Sequence, residues 1–248
     1  MIIGTWNLEV KPSRHSSHGI AVAQEIQLHA VDVWFFTEIH ADWEVDGHSI
    51  FFSPAGEVAT NTRRSAAISS SWQMEPILGP NTLVEEWICM ARLNNPNNNE
   101  TILAVSTVLP WRGITPYWRQ ALTKQTTFAD AFRHVLQYIV QRINTERRPG
   151  ENVIWGGDFN QALSGRDYVG TNQGRRDFQK ALQNLELWAP TADMPALIPA
   201  HPAIDHIAIP SAWSIKDEPL ILRPTRNQKN LSDHALYVID AALIDGTF

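Results

Sequence analysis

The 248-residue chain has a single cysteine, no excess of basic residues, no low-complexity tract and no apolar run long enough to cross a membrane. Each shortage excludes something. The one thiol, Cys89 in the apolar run Trp87-Ile88-Cys89-Met90-Ala91, cannot close an intrachain disulfide; it reads as a small core residue and calls for no oxidising compartment. With 20 Lys and Arg against 26 Asp and Glu the formal charge is −6, which argues against a protein that coats nucleic acid through bulk charge. It leaves room for an enzyme that holds metal ions, because ligand carboxylates lower the formal charge while the cation supplies the local positive field. Met1 to Asn7 contains no basic region followed by an apolar run, so the expectation is a protein without a secretory leader that stays in the cytoplasm.

Apolar residues make up 44% of the chain and charged residues 19%, as in a folded globular protein. The length requires only one domain, spanning 1–248, and no repeat or Pro/Gly/Ser-rich linker divides it. Ile2 to Leu8 reads as a buried strand. Gly19 to Ala30 reads as a helix with Ile20, Ala23, Ile26 or Gln27, and Ala30 on its apolar side and Ser17 or His18 at its start, and Val31 to Thr37 reads as a second strand. Further strands are expected at 48–53, 65–71, 87–93 and 101–108, the last two joined as a hairpin through the turn-favouring run Asn94 to Asn99. After Pro116 a long helical stripe includes Leu122, Phe128, Phe132, Val135, Leu136, Ile139, Val140 and Ile143, and stops before Pro149-Gly150. A strand at 152–155 runs into Gly156-Gly157-Asp158-Phe159-Asn160, a helix covers 175–187, and strands at 204–209 and 235–243 follow. The hairpin, the mixed element order and the long helices predict two packed sheets with helices outside.

Five polar signals sit at or just beyond strand ends, where a rigid scaffold can aim side chains into a shared cleft. They are Asn7, Glu38, Asp158 with Asn160, Asp205 with His206, and Ser232-Asp233-His234. Singly, each has an ordinary reading as a strand end, a solvated tip or a turn. A set of carboxylates and amides without cysteine suits a hard cation that takes oxygen ligands, such as Mg²⁺ or Mn²⁺. Glu38 is the first candidate ligand, with Asn7 completing or orienting the shell through its carbonyl oxygen and Asp233 adding a second carboxylate. Glu9 reads equally as a helper through water or as a solvated surface carboxylate.

In this order the signals resemble the endonuclease/exonuclease/phosphatase superfamily, the group of the deoxyribonuclease-I-like nucleases. Its pattern runs Asn, Glu, Gly-Asp-x-Asn, Asp-His or Asp-Tyr, then Ser-Asp-His, and the match extends from Thr5-Trp6-Asn7 to Ser232-Asp233-His234. The resemblance implies a four-layer α/β sandwich of two mixed, mainly antiparallel sheets packed face to face, and phosphoester hydrolysis with Mg²⁺ or Mn²⁺. It also implies that Asp158 orients or deprotonates the attacking water and that Asn160 holds a phosphoryl oxygen or that water. His234 would meet the phosphate, with Asp205 orienting its ring from behind. His206 alternates to the opposite face of its strand and reads as structural. One departure stands out: many members place a Thr-x-His or a catalytic tyrosine near the end of the strand that here reads Ala104 to Trp111, and Val108 or Leu109 occupies that place. Neither can carry a proton, so help for the leaving group must come from elsewhere.

Ten of the 20 Lys and Arg fall in four loops beside these motifs: Arg63 and Arg64; Arg112 and Arg119; Arg166, Arg175 and Arg176; and Arg223, Arg226 and Lys229. They point to a phosphate-bearing substrate, nucleic acid by preference, with Arg64, Arg112, Arg119 and Arg176 as binding candidates. Trp111, Tyr117 and Trp118 read either as stacking surfaces for a base or sugar, Trp111 foremost, or as cover for the core. A zinc site at His15, His18 and His40 lacks a fourth ligand, and a Ser/His/Asp hydrolase lacks a Gly-x-Ser-x-Gly elbow. Three functional readings remain: a nuclease, a phosphatase or phosphodiesterase for a small or lipid-linked phosphate, and a binding protein without catalysis. No obligate protein partner is implied.

Overall fold

A computed structural model describes residues 1–9, 13–55, 62–96, 98, 100–114, 127–166 and 168–243. Strand β1 (Ile2–Asn7) passes through helix α1 (Ser17–Gln27) to the parallel strand β2 (Val33–His40), giving the expected β-α-β opening. There follow β3 (Ser49–Phe52), β4 (Arg63–Ser70), β5 (Gln73–Ile77), β6 (Ile88–Asn94) and β7 (Thr101–Val108). Helix α2 (Phe128–Glu146) then leads to β8 (Asn152–Asp158), which lies parallel to β7, and α3 (Asn172–Asn184) follows. The chain continues through β9 (Leu187–Trp188), β10 (Asp205–Pro210), β11 (Trp213–Ile215), β12 (Leu220–Leu222), β13 (Thr225–Arg226), β14 (Lys229–Asn230) and β15 (Leu236–Leu243).

Two mixed sheets form from these strands. One has the order β11-β15-β1-β2-β4-β3 with β12 also on β15, and the other has the order β5-β6-β7-β8-β10-β9. Alternation along the strands sorts side chains into three apolar layers. Ile3, Val33, Phe35, Cys89, Ala104, Ile154, Ile207 and Ile239 meet between the sheets. Trp6, Trp34, Phe36 and Leu236 point outward to Val22 and Ile26 of α1, while Leu103, Val105, Val153 and Trp155 point outward to Phe132, Val135, Ile139 and Phe178 of α2 and α3. Helices therefore cover both outer sheet faces, and the molecule is a four-layer α/β sandwich. No helix among the described residues is long and apolar enough to cross a membrane.

Several expected boundaries shift. Helix α1 starts at Ser17 with Ser16 as its cap, the Ser16 hydroxyl accepting from the Gly19 N–H, and it buries Gly19, Ala21, Val22 and Ile26. Of the expected apolar side, Ile26 is buried and Ala23 packs against the core, whereas Ile20 is exposed. The third helix begins at Asn172, capped by Thr171, rather than at Arg175. Of the long stripe after Pro116, Phe128 to Ile143 lies in α2, whereas Leu122, Tyr117, Trp118 and Arg119 lie outside the described residues. Strands β5, β9 and β11 to β14 were not expected.

Candidate active site

The strand ends that carry the polar signals converge. Asn7 is the last residue of β1, and its side chain crosses from one sheet to the other: Nδ2 donates to Glu38 Oε1 at 3.0 Å and to Asp158 Oδ2 at 3.0 Å. Its Oδ1 accepts the Glu9 N–H at 2.8 Å, so the amide orientation is determined on both sides. Asn7 thus turns its N–H groups to the two carboxylates, and the carbonyl oxygen expected to face a cation is engaged by backbone.

Glu38 reaches this position by an unusual backbone. Strict alternation would send it outward with Trp34 and Phe36, yet it adopts φ +50, the left-handed region that side chains rarely enter. Ile39 rather than Glu38 then joins Trp34 and Phe36 in the outer layer, and the carboxylate turns to Asn7. Glu9 (φ 54) and Asn160 (φ 46) share this strained conformation, so three of the six non-glycine residues with positive φ among the described residues flank one cleft.

Asp158 ends β8, directly opposite Asp205 at the start of β10. Two glycines make the approach possible. A Cβ on Gly156 would lie 2.2 Å from the Phe35 ring, and one on Gly157, which has φ +129, would lie 2.2 Å from the Thr107 carbonyl oxygen. The Asn160 N–H donates to Asp158 Oδ1 at 2.9 Å, and Asn160 Nδ2 donates to the Leu109 carbonyl at 3.0 Å. Leu109 and Val108 are buried in the layer beneath α2, so the place where a second proton carrier was sought is apolar core.

Asp205 Oδ2 lies 2.7 Å from His234 Nδ1, and its other oxygen, Oδ1, is buried with no hydrogen-bond partner. His234 Nε2 lies 3.7 Å from Asp233 Oδ1, and Asp233 itself is exposed. Ser232, expected in the Ser232-Asp233-His234 signal but without a role of its own, fastens this last motif to the first: its hydroxyl donates to the Asn7 carbonyl at 2.6 Å and accepts the His234 N–H at 3.1 Å. Ligating atoms of Asp158, Asp205 and His234 all fall within 4.8 Å of one another.

Burial raises the Glu38 carboxyl above its ordinary value, against the lowering effect of the Asn7 hydrogen bond and of His234. Burial and then the Asp205 charge push Asp158 up to about 8. For His234, burial opposes the charged form, but contact with Asp205 and the charges of Asp158 and Asp233 outweigh it and hold the imidazole at about 10. Crowded carboxylates of this kind favour a proton or a cation between them. His206 faces away, its Nε2 3.1 Å from the Gln161 carbonyl and its Nδ1 3.2 Å from the Thr191 hydroxyl; burial takes it down to about 4.

The cationic and aromatic candidates are dispersed. Arg64 pairs opposite Ile39, next to Glu38, and donates to the Arg63 carbonyl. Arg112 is exposed and donates to the Gly170 carbonyl at 2.7 Å; Arg176 is exposed on α3 and donates to Gln173. Trp111 is half-buried edge-on against Trp87 and covers the core. Arg175 and Arg223 hold loop carbonyls. Arg119 lies outside the described residues. His18 meets the Leu231 carbonyl and His40 meets Asp42, each in a separate contact.

The model of the Endonuclease/Exonuclease/phosphatase family matches residues 4–234. No curated protein matches the sequence. Among solved structures, an AP endonuclease from Archaeoglobus fulgidus is 15% identical with a TM-score of 0.68, covering 98% of this chain and 99% of that one. An endonuclease/exonuclease/phosphatase from Bacteroides vulgatus is 14% identical with a TM-score of 0.67, covering 98% of each chain. A mannosyl-6-phosphatase from Bacteroides thetaiotaomicron is 13% identical with a TM-score of 0.67, covering 98% of this chain and 100% of that one. At such identities the likeness is one of fold.

Proposed function

The chain belongs to the endonuclease/exonuclease/phosphatase family, whose members hydrolyse phosphate esters, and we propose that it is a divalent-metal-dependent nuclease cleaving phosphodiester bonds of DNA or RNA in the cytoplasm. The observation that carries the reading is the pair of buried units facing one cleft: Glu38 and Asp158 joined through the Asn7 amide, and His234 seated on Asp205.

The donor set fits a hard cation. Two carboxylates share one amide as hydrogen-bond donor, both are held above their ordinary values by burial, and no sulfur ligand is near. Glu38 would hold Mg²⁺ or Mn²⁺, with the exposed Asp233 as a second carboxylate and Asn7 orienting the set. When bound, such an ion supplies charge neutralisation at the phosphoryl group and lowers the barrier to forming a nucleophile from water. The tighter group of Asp158, Asp205 and His234 is a poorer shell, because His234, held charged by Asp205, offers no lone pair to a cation.

His234 is an imidazolium at neutral pH, so Nε2 can donate to a phosphoryl oxygen while Asp205 fixes the ring. Asp158 would orient or deprotonate the attacking water, and the Asn160 backbone N–H aligns its carboxylate. One amide hydrogen of Asn160 is engaged by Leu109, and the other is available to a phosphoryl oxygen. Arg64, opposite Ile39 and so next to Glu38, and Arg112, three residues beyond Leu109 in sequence, would serve an anionic strand, and the sequence offers Arg119 and Arg176 for the same purpose. The second reading, a phosphatase or phosphodiesterase acting on a small or lipid-linked phosphate, is favoured by a cavity of only about 200 Å³ beside His234, lined by Asp205, Asp233, Leu197 and Ile198.

The deciding experiment supplies purified protein with Mg²⁺ or Mn²⁺, bis(4-nitrophenyl) phosphate, 4-nitrophenyl phosphate, plasmid DNA and single-stranded RNA. Metal-dependent cleavage of the diester and of one nucleic acid, lost in His234→Ala, is expected. Turnover of the monoester alone would overturn the nuclease reading, and inertness towards all four would overturn both.

A further inference from the structure

Asn160, whose side-chain amide is offered to the phosphoryl group, stands at φ +46, a conformation that a residue with a side chain keeps where its surroundings impose it. One buried side chain holds it from both flanks. His206, on the face of β10 turned away from Asp205, sets its ring against the Phe159 ring with centroids 5.6 Å apart. Its Nε2 lies 3.1 Å from the Gln161 carbonyl oxygen. Phe159 and Gln161 are the two chain neighbours of Asn160, and both are wholly buried, as is His206.

The proton on this ring is assigned by its partners. A carbonyl oxygen can only accept, so Nε2 carries the hydrogen; burial keeps the ring neutral, and Nδ1 is left as the acceptor for the Thr191 hydroxyl at 3.2 Å. The Thr191 oxygen in turn accepts the Ile207 N–H at 3.0 Å. A line of hydrogen bonds thus leaves β10, passes through Thr191 and His206, and ends on the segment that carries Asn160. Gln161 extends the hold: its Oε1 accepts the Thr171 N–H at 3.0 Å, and the Thr171 hydroxyl caps α3 by accepting the Gly174 N–H at 2.9 Å. The fit is close, since a Cβ on Gly170 would lie 2.2 Å from that Oε1 and one on Gly174 2.5 Å from it. Gln161 is anchored to β10 through its backbone and to α3 through its side chain, which leaves the groups of Asn160 to Asp158, to Leu109 and to the cleft.

We propose that His206 is a positioning residue of the reaction: its Nε2–H, bonded to the Gln161 carbonyl, holds Asn160 in the left-handed turn that aims the Asn160 amide at the phosphoryl group and its backbone N–H at Asp158. This rests on the phosphoesterase reading and adds to it a residue that meets neither substrate nor metal. Without the bond the Gln161 carbonyl would be buried and lack its donor, a state that drives the segment to rearrange. A residue at positive φ also gains by relaxing to negative φ, so the turn would give way at Asn160. A ring that merely filled the core would need no donor at Nε2, and the two roles therefore separate by experiment.

The test sets His206→Phe, which keeps a ring against Phe159 and removes the donor, beside His206→Gln, which keeps a donor and removes the ring. On bis(4-nitrophenyl) phosphate with Mg²⁺, His206→Phe should lower kcat roughly 10- to 100-fold, with the half-saturating metal concentration unchanged, and His206→Gln should recover most of that loss. In an Asn160→Ala background His206→Phe should cost less than about twofold more, because the group it positions is gone. Equal losses in the two backgrounds, a loss in His206→Gln as large as in His206→Phe, or an unchanged kcat would overturn the positioning role. Hydrogen exchange reads the same restraint without turnover: the Asn160 amide should exchange about tenfold faster in His206→Phe, while the amides of β15, in the other sheet, keep their rates. An Asn160 amide that exchanges as in the wild type would also overturn the role. Thr191→Val spares the ring and removes the hydroxyl that sets its tautomer; it should move kcat and exchange in the same directions by a smaller factor, and it supplies the test if His206→Phe does not fold. Faster exchange at Asn160 in a protein that turns over no phosphoester would uphold the restraint and count against hydrolysis, so the two readings fail separately.

Discussion

Asp205 and His234 illustrate how far single residues carry this site. They lie 2.7 Å apart with the ring held charged, so under the proposed mechanism they act as one unit. Asp205→Asn should cut turnover roughly 100-fold or more, and adding it to His234→Ala should cost little beyond His234→Ala alone, as measured by steady-state rates on a generic diester. Losses that multiply would separate the pair. His206, one residue along, makes a contrasting case. Its folded value of about 4 lies below the unfolded 6.5, so between those pH values the unfolded chain binds more protons and the fold loses stability as pH falls. The loss should reach about 3 kcal/mol by pH 4, and urea titrations of wild type and His206→Gln across pH 7 to 4 should differ by that amount; parallel curves would contradict it. Residue types at the cleft were legible in sequence because phosphoester chemistry restricts them. The turning of the Asn7 amide and the Ser232 tether were not, since both depend on which backbone groups lie opposite.

Among the elements, β8 shows the tightest link between local sequence and site. Gly156 and Gly157 stand where the sheets and the neighbouring strand leave no room, and Gly157 also needs φ +129. Gly157→Ala should destabilise the fold by at least ~2 kcal/mol and lower activity with it, since Asp158 follows directly. Denaturant unfolding read by circular dichroism would check this, and an unchanged midpoint would refute the steric account. Long elements such as β6, β7 and α2 announced themselves by period. Strands of two or three residues, such as β9, β13 and β14, span too little sequence for alternation to register, and α1 starts one or two residues earlier than its pattern suggested because Ser16 caps it. The left-handed step at Glu38 was invisible too: glutamate has no preference for it, and only the bond to Asn7 explains it.

For the molecule as a whole, two sheets bring five short signals, spread over more than two hundred residues, to one end of a sandwich. Their order along the chain was enough to expect this architecture. Counting basic loop residues was a weaker guide, because Arg112, Arg175, Arg223 and Arg226 are engaged with backbone carbonyls that no sequence pattern reveals. The central claim is that this end of the molecule hydrolyses phosphoesters with a cation held at Glu38. A titration of Mg²⁺ or Mn²⁺ against the rate on bis(4-nitrophenyl) phosphate, for wild type and for Glu38→Gln, tests it most directly, since glutamine can still accept from Asn7 but lacks the charge. Activity should vanish in chelator, and the substitution should raise the half-saturating metal concentration about tenfold or more. Full activity in chelator, or identical metal curves for the two proteins, would contradict the account.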